Sequence, residues 1–186
     1  MPVQFLSGGG GGTSDVRTTF ADPVTNTCTY LAASSTQLLS QFTIPANYLQ
    51  ANDSLVLTSI IKYLSHTGAT TSKSLTLNIR LGTTGTTSDP SLAQVVLSIG
   101  NPTTFLQSAV SFIGNLGVPT IGSSGSATLN LKGYDQSVYP IAFTGGTAQT
   151  INTTSTLYLS IYGALAAGTG NTLTIAPSGS SLIVSF

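Results

Sequence analysis

The stretch KSLTLNIRLG at residues 73–82 alternates apolar and polar residues almost without a break. Successive side chains of a strand point to opposite faces. Leu75, Leu77, Ile79 and Leu81 therefore share an inward face, and Thr76, Asn78 and Arg80 point outward. A helix would scatter the same leucines around its axis. The period of two recurs along the chain. TQLLSQFTIP (36–45) carries Leu38, Phe42 and Ile44 as apolar positions and ends at Pro45. SLVLTSIIKYLSH (54–66) places Leu55, Leu57 and Ser59 together. LAQVVLSIG (92–100) and SATLNLKGY (126–134) read as further strands. STLYLSIYGAL (155–165) sets Leu157, Leu159 and Ile161 inward against Tyr158, Ser160 and Tyr162.

Three segments are less regular. In TFLQSAVSFIGNLG (104–117), Leu106, Val110 and Ile113 fit a helical stripe, but its neighbours are strands and a strand is expected. SVYPIAFTG (137–145) is a strand or edge piece interrupted by Pro140. NTLTIAPSGSSLIVSF (171–186) reads as a last strand pair turning across APSGS. The segments between are rich in Gly, Ser, Thr, Asn and Pro. Among them, ANYLQAND (46–53), 67–72, 83–91 and 144–154 read as turns or loops.

Eight to ten strands with no amphipathic helix between them predict an all-β fold. The fold class expected is an antiparallel β-sandwich of jelly-roll type with an extended N-terminal arm. An immunoglobulin-like sandwich is the alternative. A chain of 186 residues suits one such domain, and no internal repeat points to a propeller or solenoid. The expected division is an arm at 1–35 and a sandwich domain at 36–186. The arm opens on the apolar tag PVQFL, followed by five consecutive glycines at 8–12. Val3, Phe5 and Leu6 would contact a neighbour, with Gly8, Gly10 and Gly12 letting the backbone turn or approach closely. Residues 16–35 are a second piece of arm or a first edge strand.

Charge is scarce: five Lys and Arg against five Asp, no Glu, and 5% charged residues overall, where about 25% is ordinary. Such a surface is poorly protected from association, which suits life within an assembly. The balance argues against nucleic acid, which needs a basic patch. No apolar run approaches the length of a membrane helix, and no signal peptide is expected from the N-terminal residues. Cys28 is the only cysteine, so an internal disulfide and a cysteine-rich zinc site are excluded.

Groups able to move a proton are equally scarce. His66 is the only histidine, no G-x-S-x-G elbow occurs, and no paired carboxylates suit glycosidase chemistry. Asp22, Asp53 and Asp89 lie beside prolines or strand starts and read as turn formers that accept from nearby N–H groups. No D-x-D-x-D-G loop or His pair suggests a metal, and the glycine run lacks the Lys-Ser/Thr of a phosphate loop. No cofactor and no enzymatic activity are expected. Asn52–Ser54 and Asn152–Thr154 fit the glycosylation triplet, a pattern common by chance in a Ser/Thr-rich chain. What remains is surface. Tyr134, Tyr139, Tyr158 and Tyr162 would either stack on a glycan or sit at a subunit interface or sandwich rim.

FTIPANYLQANDSLVLTSIIKYLSHTG, followed by SKSLTLNIRLGTTGTTSDPSL, resembles a β-sandwich module of tailed-bacteriophage virion proteins, among them head fibres, decoration proteins and tail-fibre or baseplate components. The matching positions are Ile44, Pro45, Ala46, Leu49, Asp53, Arg80, Leu81 and Gly82, within about residues 36–100. The resemblance implies a jelly roll, usually a homotrimer, with no catalytic residue to carry over. It implies a virion location on capsid or tail and partners among virion proteins such as a major capsid or tail protein. The N-terminal arm would be the docking part. A second expectation is a receptor-binding module for host attachment, its loops at 67–72, 83–91 and 144–154 reading a surface glycan.

Overall fold

The computed structural model describes residues 19–20, 29–32, 36–65, 73–99, 106–135, 141–166 and 172–185. Twelve strands fall in these segments: β1 (Thr19–Phe20), β2 (Thr29–Ala32), β3 (Thr36–Ile44), β4 (Asp53–Ser65), β5 (Lys73–Gly82), β6 (Ser91–Ile99), β7 (Leu106–Thr120), β8 (Gly125–Asp135), β9 (Ile141–Thr144), β10 (Gln149–Ile151), β11 (Leu157–Ala166) and β12 (Thr172–Ser185). All pairings are antiparallel, and no helix occurs among the described residues. One sheet has seven strands, in the order β1-β12-β4-β7-β8-β10 with β2 also on β12. The other has five, in the order β3-β11-β5-β6-β9.

The pairings nest like a folded ribbon. β1 and β2 pair with β12, β3 with β11, β4 with β7, and β5 with β6. Rolling that ribbon brings β12 onto β4 and β11 onto β5. This double winding is a jelly roll, as the strand pattern predicts. An insertion follows β7: β8 extends the first sheet, β9 crosses to β6, and β10 returns to β8.

The alternation explains why two sheets close on one core. Leu75, Leu77, Ile79 and Leu81 of β5 meet Leu157, Leu159 and Ile161 of β11, and Leu55, Leu57 and Ile61 of β4 face them with Phe112 and Leu116 of β7. The pieces of 16–35 that are described lie at the edge of the seven-stranded sheet, Thr19–Phe20 on Ile183–Leu182 and Thr29–Ala32 on Ile175–Thr172.

Three readings are corrected. The 171–186 segment is one strand, not a pair. Pro177 and Gly179 fall at a register shift opposite Ile61 and Ile60, so the missing proline N–H is absorbed by a bulge instead of a turn. In β3 the register skips Leu39 between Ser40 and Leu38, and that bulge turns Leu39 into the core in place of Leu38, which is only half-buried. Within the 144–154 loop, Gln149–Ile151 form a short strand on β8. The 104–117 segment is strand, with Val110 and Phe112 buried and Ile113 exposed, as alternation requires.

Candidate functional site

The register places the turns after β3, β5, β7 and β10 at one end of the sandwich. Two braced groups form there.

The first is the 83–90 loop, which folds back over the outer face of the five-stranded sheet. Asp89 organises it. Its carboxylate is buried and accepts from the backbone N–H groups of Thr84 (3.2 Å), Gly85 (2.8 Å) and Thr86 (3.3 Å) and from the Thr84 hydroxyl (2.7 Å). This is the turn-forming role expected of an Asp before a proline. Gly82 leaves room for it, because a Cβ there would collide with the Asp89 carboxylate. Gly85 sits at φ 65°, in the left-handed region.

The sheet then grips the loop. The Gly85 carbonyl accepts from Tyr162 Oη at 2.6 Å and from Gln41 Nε2 at 3.1 Å, and Gln41 Nε2 also donates to Ser160 Oγ at 3.0 Å. Arg80 Nη1 donates to the Asp89 carbonyl at 2.5 Å. Arg80, Ser160 and Gln41 meet because their backbones are in register across β5, β11 and β3. Burial raises the Tyr162 phenol above its ordinary value, and the nearby Asp89 carboxylate adds to the shift. The Ser160 hydrogen bond and the Arg80 charge oppose it. Beneath the loop, Asn78 Oδ1 and Arg80 Nε are buried without a protein partner.

The loop displays its hydroxyls outward. Thr84, Thr86 and Ser88 are exposed, and their oxygens lie 2.8 Å (Thr84–Thr86), 2.6 Å (Thr86–Ser88) and 3.3 Å (Thr84–Ser88) apart. The Thr84 proton is given to Asp89, so Thr84 Oγ1 accepts from its neighbours.

The second group ties three turns together through Thr153, which is buried. The Gly122 N–H donates to Thr153 Oγ1 (2.7 Å), the Thr153 N–H to the Gly122 carbonyl (3.0 Å), and the Asn47 N–H to the Thr153 carbonyl (2.9 Å). Asn47 and Asn52 have φ of 58° and 72°, and asparagine tolerates that region better than other residues with a Cβ. Asn152 Oδ1 accepts from the Thr154 N–H and hydroxyl, so the second glycosylation triplet forms a local turn.

The sequence-derived candidates distribute unevenly. Tyr158 and Tyr162 stand together on β11, on the face away from the core as the alternation predicts, yet Ser160 and Tyr162 are buried there because the 83–90 loop roofs that face. Tyr158 lies under the same loop, close to Gly85. Tyr134 belongs to the other sheet, with its backbone opposite Ser111 on β7. Tyr139, the arm residues Val3, Phe5, Leu6, Gly8, Gly10 and Gly12, the 67–72 loop, His66 and Cys28 lie outside the described residues. Sequence reasoning missed Gln41 and Thr153. Neither carries a motif, and each acts on a residue distant along the chain. Among the described residues, no three His, Cys, Asp or Glu side chains come together as a metal site.

No family model and no curated protein matches the chain. Among solved structures, it is similar to the Emp47p carbohydrate recognition domain at 7% identity, covering 95% of this chain and 100% of that one, with a TM-score of 0.38. It is similar to the CBM2 module of the evolved Dit of Lactobacillus casei BL23 phage J-1 at 11% identity, covering 83% and 73%, with a TM-score of 0.30. A third likeness is to infectious bursal disease virus, Gx strain, at 17% identity, covering 100% and 47%, with a TM-score of 0.31. The jelly roll itself is set by the strand order of the two sheets.

Proposed function

We propose that the chain is a non-enzymatic structural subunit of a bacteriophage virion, a capsid-associated decoration or head-fibre protein. It assembles as a homo-oligomer through its β-sandwich and docks by its N-terminal arm to other virion proteins. One observation supports this most directly. Asp89, Arg80 and Tyr162, side chains capable of chemistry, are bound to loop backbone atoms and brace a rigid body. A body with so few charges and such braced loops suits a fixed place among neighbours, where burial of apolar area supplies the binding energy. The test is a chain lacking residues 1–15. It is expected to fold like the full chain and to fail to join particles. Normal incorporation of the shortened chain would contradict the docking role.

A second reading, a tail-fibre or baseplate module that binds a host glycan, draws on the exposed hydroxyls of Thr84, Thr86 and Ser88. They are held in place before any ligand arrives, which lowers the entropic cost of binding. Glycan-array binding that is lost in Asp89→Ala would support it. An array without binding, alongside uptake of the chain by capsids, would sink it.

A further inference from the structure

The floor beneath the 83–90 loop holds two polar atoms that the protein itself does not satisfy. Asn78 and Arg80 alternate along β5 with the buried Leu77, Ile79 and Leu81, so their side chains are neighbours on the outer face. Arg80 reaches the loop, where Nη1 donates to the Asp89 carbonyl. Its Nε is shut off from solvent and meets no acceptor. Asn78 Oδ1 is equally shut off and meets no donor, so the two atoms do not bond each other. One is a donor on a permanent cation and the other an acceptor. The neighbouring groups are already engaged: Gln41 Nε2 donates to Ser160 Oγ and to the Gly85 carbonyl, and Tyr162 Oη donates to that same carbonyl. Buried polar groups are as a rule hydrogen-bonded, to protein or to ordered water.

We propose that a buried water molecule joins these atoms under the 83–90 loop, accepting from Arg80 Nε and donating to Asn78 Oδ1. The inference goes beyond both functional readings above and depends on neither. Chemistry selects water. The bridging group must accept at one end and donate at the other, and it must fit where solvent does not reach. A halide only accepts and has nothing to give Asn78 Oδ1. A metal cation is repelled by the guanidinium. Turning the Asn78 amide over does not remove the need, because it sets N–H donors in place of the oxygen beside another donor. The surroundings are polar, as a buried water requires. Asn78 is in register with Tyr162 and Gln94, and Arg80 with Ser160 and Ser91. Cross-strand partners stand about 5 Å apart at Cβ, which places the half-buried Gln94 and Ser91 to offer a further partner. Asn78 then helps to hold the loop through the water and Arg80.

A high-resolution crystal structure of the full chain tests this. It should show a density peak about 2.7–3.2 Å from both Arg80 Nε and Asn78 Oδ1. A direct bond between the two side chains, a site without a peak, or an anomalous peak there after a bromide soak would overturn the proposal. Water relaxation dispersion counts long-lived internal waters in solution. Asn78→Leu removes the acceptor and should lower that count by a single water, whereas Asn78→Asp keeps an oxygen in place and should keep the count. The same Asn78→Leu change leaves Arg80 Nε unpaired and should lower the melting temperature by about 5 °C. A count unchanged in Asn78→Leu would contradict the site. Melting curves check that each variant folds, and if Asn78→Leu does not, the density in the parent chain and the count in Asn78→Asp still decide.

Discussion

Asp89 accepts from three backbone N–H groups and one hydroxyl inside a buried turn, while its own carbonyl receives Arg80. Removing the carboxylate leaves those donors without their acceptor. Asp89→Ala should therefore destabilise the chain by about 2–3 kcal/mol in urea unfolding. Asp53, which accepts the Gln50 N–H at an exposed turn, should cost under about 1 kcal/mol on the same change. Tyr162→Phe removes one hydrogen bond to Gly85 and should cost about 1 kcal/mol at neutral pH. Its phenol is raised in the folded chain, from an ordinary value near 10. The proton is thus held more tightly in the folded state. The stabilising contribution is full below about pH 10 and is lost as pH rises through the raised value. Unfolding curves between pH 8 and 12 should show that loss in the parent chain and less of it in Tyr162→Phe. Of this cluster, the turn role of Asp89 was legible from its place before Pro90. The burial of Tyr162 was not, because it depends on Gly85, 77 residues away.

Among the elements, β4 and β11 are central: β4 lies between β12 and β7, and β11 between β3 and β5. Leu57 on β4 is fully buried, and Leu57→Ala should cost about 3 kcal/mol through lost contact and the cavity left behind. Native-state hydrogen exchange should place the slowest amides in β4, β5, β7 and β11, and faster ones in the short edge strands β1, β2, β9 and β10. Equal protection at centre and edge would contradict the sheet order. The central strands were legible because their alternation is local: Leu75, Leu77, Ile79 and Leu81 all fall inward as their spacing predicts. The bulges were not. Leu39 displaces Leu38 from the core only because β3 must match β11, and Pro177 stays within a strand because β4 runs alongside it. A turn signal such as APSGS yields when a long neighbour supplies the ladder on both sides of it.

For the whole molecule, the nested ribbon ties the start of the described chain to its end. β12 pairs with β1 and β2 as well as with β4. The sandwich class follows from the spacing of strands and turns, whereas the pairing of first strand with last is a long-range choice that no local pattern records. The jelly roll so formed has a low-charge exterior and braced loops at its described end. The central claim is that such a body is a subunit of an assembly. The most direct measurement is the mass of the purified full chain in solution over a wide concentration range. The account predicts a closed assembly of a fixed number of copies. A single chain at every concentration, soluble and monodisperse, would contradict it.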